Sequence, residues 1–167
     1  MVKIRQKYYF NNIDELIKYL KGKMDDFSNL RVQKTLYFLW AYYTAMYNHE
    51  DDGEFDSMRY PEELFEAKFE AWQYGPVINS VYAKFKDNFY DSIEDNDEIP
   101  NFNPNDVVGK DIKKFIDNMV NQINGISSFG LVNRSHNDKA WRDKYNNKSE
   151  HISMNNKDII DEYKGKL

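Results

Sequence analysis

Phe69-Glu70-Ala71-Trp72-Gln73-Tyr74-Gly75-Pro76-Val77 runs a dense set of rings into a Gly-Pro step, and an amphipathic pattern begins directly after it. Gly75 can take backbone angles closed to other residues. Pro76 fits the first turn of a helix, where a missing N–H leaves no partner unsatisfied. The stretch predicts a corner, with a long helix opened by Pro76 whose Val77, Ile78, Val81, Tyr82, Phe85 and Phe89 make one stripe. Before the corner, Leu64, Phe65, Ala67, Phe69 and Ala71 alternate only in their later part, so a short extended segment near residues 66–74 is the one departure from helix expected.

Outward from the corner the pattern is helical. Asn12-Ile13-Asp14-Glu15 has the form of a capping box ahead of Leu16, Ile17 and Leu20, which predicts a helix over residues 12–22. Ser28 or Asn29 can cap a second helix reaching Asn48. There Val32, Leu36, Leu39, Tyr43 and Met46 recur at spacings of three and four, and Tyr37, Trp40, Ala41 and Tyr47 widen the stripe, so this helix should be the most buried. A fourth helix over residues 104–124 carries Val108, Ile112, Phe115, Ile116, Met119, Val120 and Ile123. Shorter pieces follow from Ser128 to Asn133 and around Trp141, and Ser153 is placed to cap a last helix through Ile159, Ile160 and Tyr163. The fold class expected is all-α, one mainly helical domain over residues 1–167, with no internal repeat.

The 167 residues are enough to bury a core without a metal or a disulfide, and the absence of cysteine removes thiolate zinc sites and cysteine nucleophiles. Rings are abundant, with 13 Tyr and 11 Phe, so rings should build both the core and any contact surface. The longest apolar stretch, Leu36 to Tyr47, is too short to cross a bilayer of roughly 30 Å, and no apolar signal core is present, so a cytoplasmic protein is expected. Net charge is −5, divided as +4 over residues 1–49, −12 over 50–106 and +3 over 107–167. An acidic middle third repels nucleic acid and favours a basic partner, or else serves as solvated loops that keep the chain soluble.

Catalytic patterns are poor. His49, Asp51 and Asp52 lie close together, as do His136 and Asp138, but neither set has the spacing that places metal ligands on one face. Ser135-His136 are adjacent, yet sequence neighbours seldom point at one another, and no Gly-x-Ser-x-Gly elbow or phosphate-binding glycine loop exists. Lys139, Arg142, Lys144 and Lys148 around Trp141 and Tyr145 come near a nucleic-acid face, but the favoured reading is a solvated helix face beside one buried Trp. His136, five residues before Trp141, can lie over the same core edge and donate a ring N–H to a backbone carbonyl. The chain reads as a non-enzyme with no cofactor and no metal.

Three blocks coincide in order and spacing with one family: Val32-Gln33-Lys34-Thr35-Leu36-Tyr37-Phe38, then Phe65 through the corner to Lys86, then Leu131 to Trp141 with His136. The chain resembles the Panacea-domain proteins, phage- and mobile-element-associated antitoxins that share a QKLLYF helix, a feAWxyGPVxxxVYxxFk corner and an H-x-x-x-x-W element. Thr35 departs from the family's Leu or Ile. The resemblance implies a mainly helical domain that neutralises a toxin encoded beside it by direct binding, toxins related to small alarmone synthetases among the partners. It also admits a proteolytic adaptor. Trp72, Tyr74, Gly75, Pro76, Val77, His136 and Trp141 are motif positions and read as scaffold.

A binding role agrees with the absence of a catalytic set. Candidate toxin contacts are the rings Tyr42, Tyr47, Phe55 and Tyr60 with Glu50, Asp51, Asp52 and Glu54 around them, rings supplying energy and acids setting orientation and on-rate. The competing reading is a phage or prophage protein that inhibits another host or defence protein. An RNA- or DNA-binding regulator stands further off.

Overall fold

The computed structural model describes residues 5–48, 59–95, 98–99, 103, 105–148 and 151–167. In chain order its elements are β1 (Tyr8–Phe10), α1 (Ile13–Lys23), α2 (Asn29–Tyr47), β2 (Glu63–Phe65), β3 (Phe69–Trp72), β4 (Gly75–Ile78), α3 (Asn79–Lys86), a 3₁₀ turn (Phe89–Asp91), α4 (Val107–Asn124), α5 (Ser128–His136), α6 (Lys139–Arg142), β5 (Ile152–Ser153) and α7 (Asn156–Lys164). The protein is mainly helical but not all-α. Strands β1 and β2 pair in parallel, and β4, β3 and β5 form an antiparallel sheet in that order.

Helix α2 is the axis. Ser28 Oγ accepts from Arg31 N at 3.3 Å to start it, and Val32, Leu36, Tyr37, Leu39, Trp40 and Tyr43 are fully buried. Burying one such side chain contributes about 1.5–3 kcal/mol, so a helix apolar on nearly every side is stable only where other elements surround it. The sheet, α5, α7 and α4 do so. Polar ends of its rings are satisfied at fixed points: Trp40 Nε1 donates to Phe65 O at 3.1 Å, and Tyr43 OH donates to Pro61 O at 2.7 Å. Phe69 of β3 meets Tyr37 and Trp40 edge to face, with centroids 5.3 and 5.8 Å apart.

The flanking helices follow their caps. Asn12 Oδ1 accepts from Asp14 N at 2.9 Å at the start of α1, and Asp106 Oδ1 accepts from Val108 N at 3.1 Å at the start of α4. Ile112, Ile116, Val120 and Ile123 of α4 face the core. Asn155 rather than Ser153 caps α7, because Ser153 is taken up in β5 opposite Glu70.

The principal correction lies at the corner. Pro76 does not open a helix; it sits inside β4, facing Ala71 of β3, and the helix begins three residues later at Asn79. Val77 and Ile78 are buried as strand residues and α3 buries only Val81, while Phe89, placed at the end of the expected stripe, is exposed. The segment expected to be extended near 66–74 is real and continues past Gly75 as a hairpin.

Candidate partner-binding site at the hairpin corner

The β3–β4 hairpin is gripped from two sides. From α2, the Gln33 side chain reaches β4, beside whose outer edge no strand lies among the described residues: Ile78 N donates to Gln33 Oε1 at 2.9 Å, and Gln33 Nε2 donates to Ile78 O at 3.3 Å. One amide side chain thus supplies the donor and acceptor that a neighbouring strand would have given. The next residue, Lys34, is 1% exposed and donates from Nζ to Pro76 O at 3.0 Å. Burial pushes its ammonium down to about 7.

From the other side, α5 and α6 hold the turn itself. Trp141 Nε1 donates to Trp72 O at 2.8 Å, and His136 Nε2 lies 3.0 Å from Gln73 O. The His136 ring stacks on Trp141 at 4.0 Å, and Tyr145 stacks on Trp141 at 4.7 Å. Partial burial lowers the His136 pKa, opposed by the bond to Gln73 and aided by Lys34 nearby. Trp72 is sandwiched by the parallel ring of His151 at 3.8 Å and the edge of Tyr82 at 4.8 Å.

Gly75 is where the two grips meet. Its φ is +106°, and a Cβ built there would fall on Ser135 Oγ and 2.7 Å from Lys34 Cε. Only glycine has both the angle and the room. The glycine marked in the sequence is therefore required on two independent counts, the second of which depends on helices far away in the chain.

Below this grip lies a buried carboxylate. Asp138 is fully buried and accepts from Tyr37 OH at 2.6 Å, from Tyr163 OH, and from Lys166 Nζ at 2.7 Å. It ties α2 to α7 and the chain end. Burial and the neighbouring carboxylate hold the Tyr37 hydroxyl well above its usual range. Nothing in the local pattern marked Asp138 for this role; its place three residues before Trp141, in a segment that also carries His136, was the available signal.

Ser135 and His136 do not face one another. Ser135 Oγ donates to Val132 O at 2.8 Å inside the core, while the His136 ring turns to the hairpin. Among the described residues no three His, Asp or Glu side chains group closely enough to hold a metal ion. No helix among them is long and apolar enough to cross a membrane.

The residues expected to touch a toxin divide. Tyr47 and Tyr60 stack face to face at 4.2 Å at the C-terminal end of α2, with Tyr60 OH bonded to Asp111 and the Arg5 guanidinium on both carbonyls. Tyr42 lies elsewhere, its ring edge-on to Tyr163 at 4.9 Å, in a groove of about 510 Å³ that Met46, Phe115 and Met119 also line. Glu50, Asp51, Asp52, Glu54 and Phe55 lie outside the described residues. Tyr74, 54% exposed at the hairpin tip, was not among the expected contacts. Tyr74 forms one wall of a cleft of about 610 Å³ with Trp72, Tyr82 and Tyr145.

Residues 32–142 match the family model described as Antitoxin SocA-like, Panacea domain, a span that takes in all three blocks that meet at the hairpin. No curated protein and no solved structure matches the chain. The chain belongs to the SocA-like, Panacea-domain antitoxin family.

Proposed function

We propose that the protein neutralises a cognate toxin by binding it directly and covering or distorting its active site, without turning over a substrate of its own. The observation that carries this reading is the family match across residues 32–142, a span in which Gln33 and Trp141 fasten the backbone of the hairpin. A pre-set backbone limits the ordering cost of association. Exposed or half-exposed rings at Tyr74 and in the Tyr47–Tyr60 pair supply anchors of the type that dominates interface energies. An interface of about 800 Å² or more per partner is needed for a stable complex.

The acidic stretch around Glu50, Asp51, Asp52 and Glu54 gives the complex its direction. A toxin that handles nucleotides or RNA, such as a relative of the small alarmone synthetases, presents a basic active-site face, and complementary fields raise the association rate. Replacing these four acids by Lys should slow toxin association and flatten its dependence on salt; unchanged rates would remove the steering role. Co-expression with the product of the adjacent gene tests the reading as a whole. Restored growth with the toxin level unchanged supports occupancy, and restored growth with the toxin degraded supports the adaptor alternative.

A further inference from the structure

The cleft beside the hairpin combines features that packing does not explain. Lys34 lies in its wall, buried, and among the described residues it forms no ion pair; its single hydrogen bond runs to Pro76 O. An ammonium has three donors, and among the described residues only Pro76 O accepts from this one. A buried cation lacking a counter-charge is costly, and methionine would fill the same space without that cost. The surroundings sharpen the contrast. Although the chain carries 28 acidic against 23 basic residues, no described residue lining the cleft is acidic.

The rest of the lining is of the kind that holds a small molecule. The cleft volume of about 610 Å³ falls within the range of ligand sites, which pair apolar rings with a few polar groups. Tyr74 is largely exposed, and Tyr145 has one face on Trp141. The exposed amide of Asn147 stands at the rim.

We propose that this cleft binds a small organic anion, its carboxylate or phosphate group drawn to Lys34 and its flat body resting against Tyr74 and Tyr145. Bound anion would supply the missing counter-charge and hold the lysine protonated, consistent with a free-state pKa near 7. Such a ligand would fill the cleft beside an exposed hairpin tip, and so alter the surface offered to a protein partner.

Calorimetric titration of the purified full chain with adenosine 5′-monophosphate, benzoate and inorganic phosphate tests this, with adenosine and benzamide as uncharged controls. Saturable binding of either organic anion, at least about tenfold tighter than its uncharged control, is expected, and which of the two binds names the acid group. Lys34→Met should weaken it at least about tenfold. Because Lys34 also fastens the hairpin, a second pair of variants at the exposed rim reads charge alone: Asn147→Glu should weaken binding and Asn147→Lys strengthen it, both with unchanged melting temperature. No saturation by either organic anion up to about 10 mM, phosphate binding as tightly as both, or affinities indifferent to charge at 34 and 147 would overturn the proposal.

Discussion

Gln33 and Ile78 exchange two hydrogen bonds across the gap between α2 and β4, a side-chain amide pairing with a strand edge as a neighbouring strand would. Both groups are buried, so truncation strands a backbone N–H and a carbonyl away from water. Gln33→Ala should cost about 2–3 kcal/mol, read as a lower urea midpoint, because an orphaned buried donor loses its full solvation. Gln33→Glu keeps an acceptor for the Ile78 N–H but sets a carboxylate oxygen against Ile78 O and Asn29 Oδ1 in a buried place, so it should cost at least as much as Gln33→Ala. Equal stability of Gln33→Ala and the parent would show that the hairpin is not held from α2.

At Gly75 two penalties coincide, the positive φ and the contact with Ser135 and Lys34. Gly75→Ala should destabilise by about 2–4 kcal/mol. Gly125 serves as the contrast, with φ of −85° and only a 3.4 Å approach to Gln122 O, so Gly125→Ala should leave the melting temperature nearly unchanged. Similar losses at the two positions would contradict the assignment of strain to the corner.

Lys34 gives the protein a signature in pH. Its folded pKa of about 7 lies below the ordinary 10.5, so between these values the unfolded chain holds a proton that the folded chain has released. Raising the pH through this window therefore favours the folded state, and below about 7 both states are protonated and the contribution is flat. His136 acts below its ordinary 6.5 and does not enter, while tyrosines such as Tyr37, held above 10, reverse the trend only at higher pH. The urea midpoint of the parent should climb relative to Lys34→Met from pH 7 to about 9.5. Parallel profiles would mean that Lys34 keeps its proton in the fold.

Asp138 tests the attachment of the last helix. Tyr163→Phe removes one donor to a fully buried carboxylate while keeping the ring that packs on Tyr37 and Tyr42. A loss of about 1.5–3 kcal/mol, or about 4–10 °C in melting temperature, is expected for a hydrogen bond to a charged group. An unchanged melting temperature would place the hold on α7 in ring packing alone.

How far the fold could be read from the chain depended on whether its cause was local. Ser28 and Asn12 announced their helices because a cap is a bond between neighbours, and the ring-rich α2 announced its burial by having hardly any polar face. Gly75 was legible because Gly-Pro after an aromatic run demands a turn. Pro76, Val77 and Ile78 were misread: two apolar residues after a proline suit a helix stripe and a buried strand equally, and the choice is made by Gln33, more than forty residues earlier. Strands β1 and β2 were invisible for the same reason, since three-residue strands have too few positions to show alternation and find each other only across α1 and α2. In the candidate site, the resemblance picked out His136, Trp141 and the corner. It did not reveal that Lys34 would lie buried with no ion-pair partner among the described residues, which is a property of the assembled cleft. Tyr42 and Tyr47, both on α2, point to different neighbours because five residues turn a helix well past one full turn.

If the chain acts by occupying another protein, as proposed, mixing it in purified form with the product of the adjacent gene and following both complex formation by size-exclusion chromatography and the toxin's own activity will show it. A stable complex of fixed stoichiometry, with activity falling in proportion to the toxin bound, is the result predicted. Toxin that stays active and elutes alone at micromolar concentrations of both proteins would contradict it.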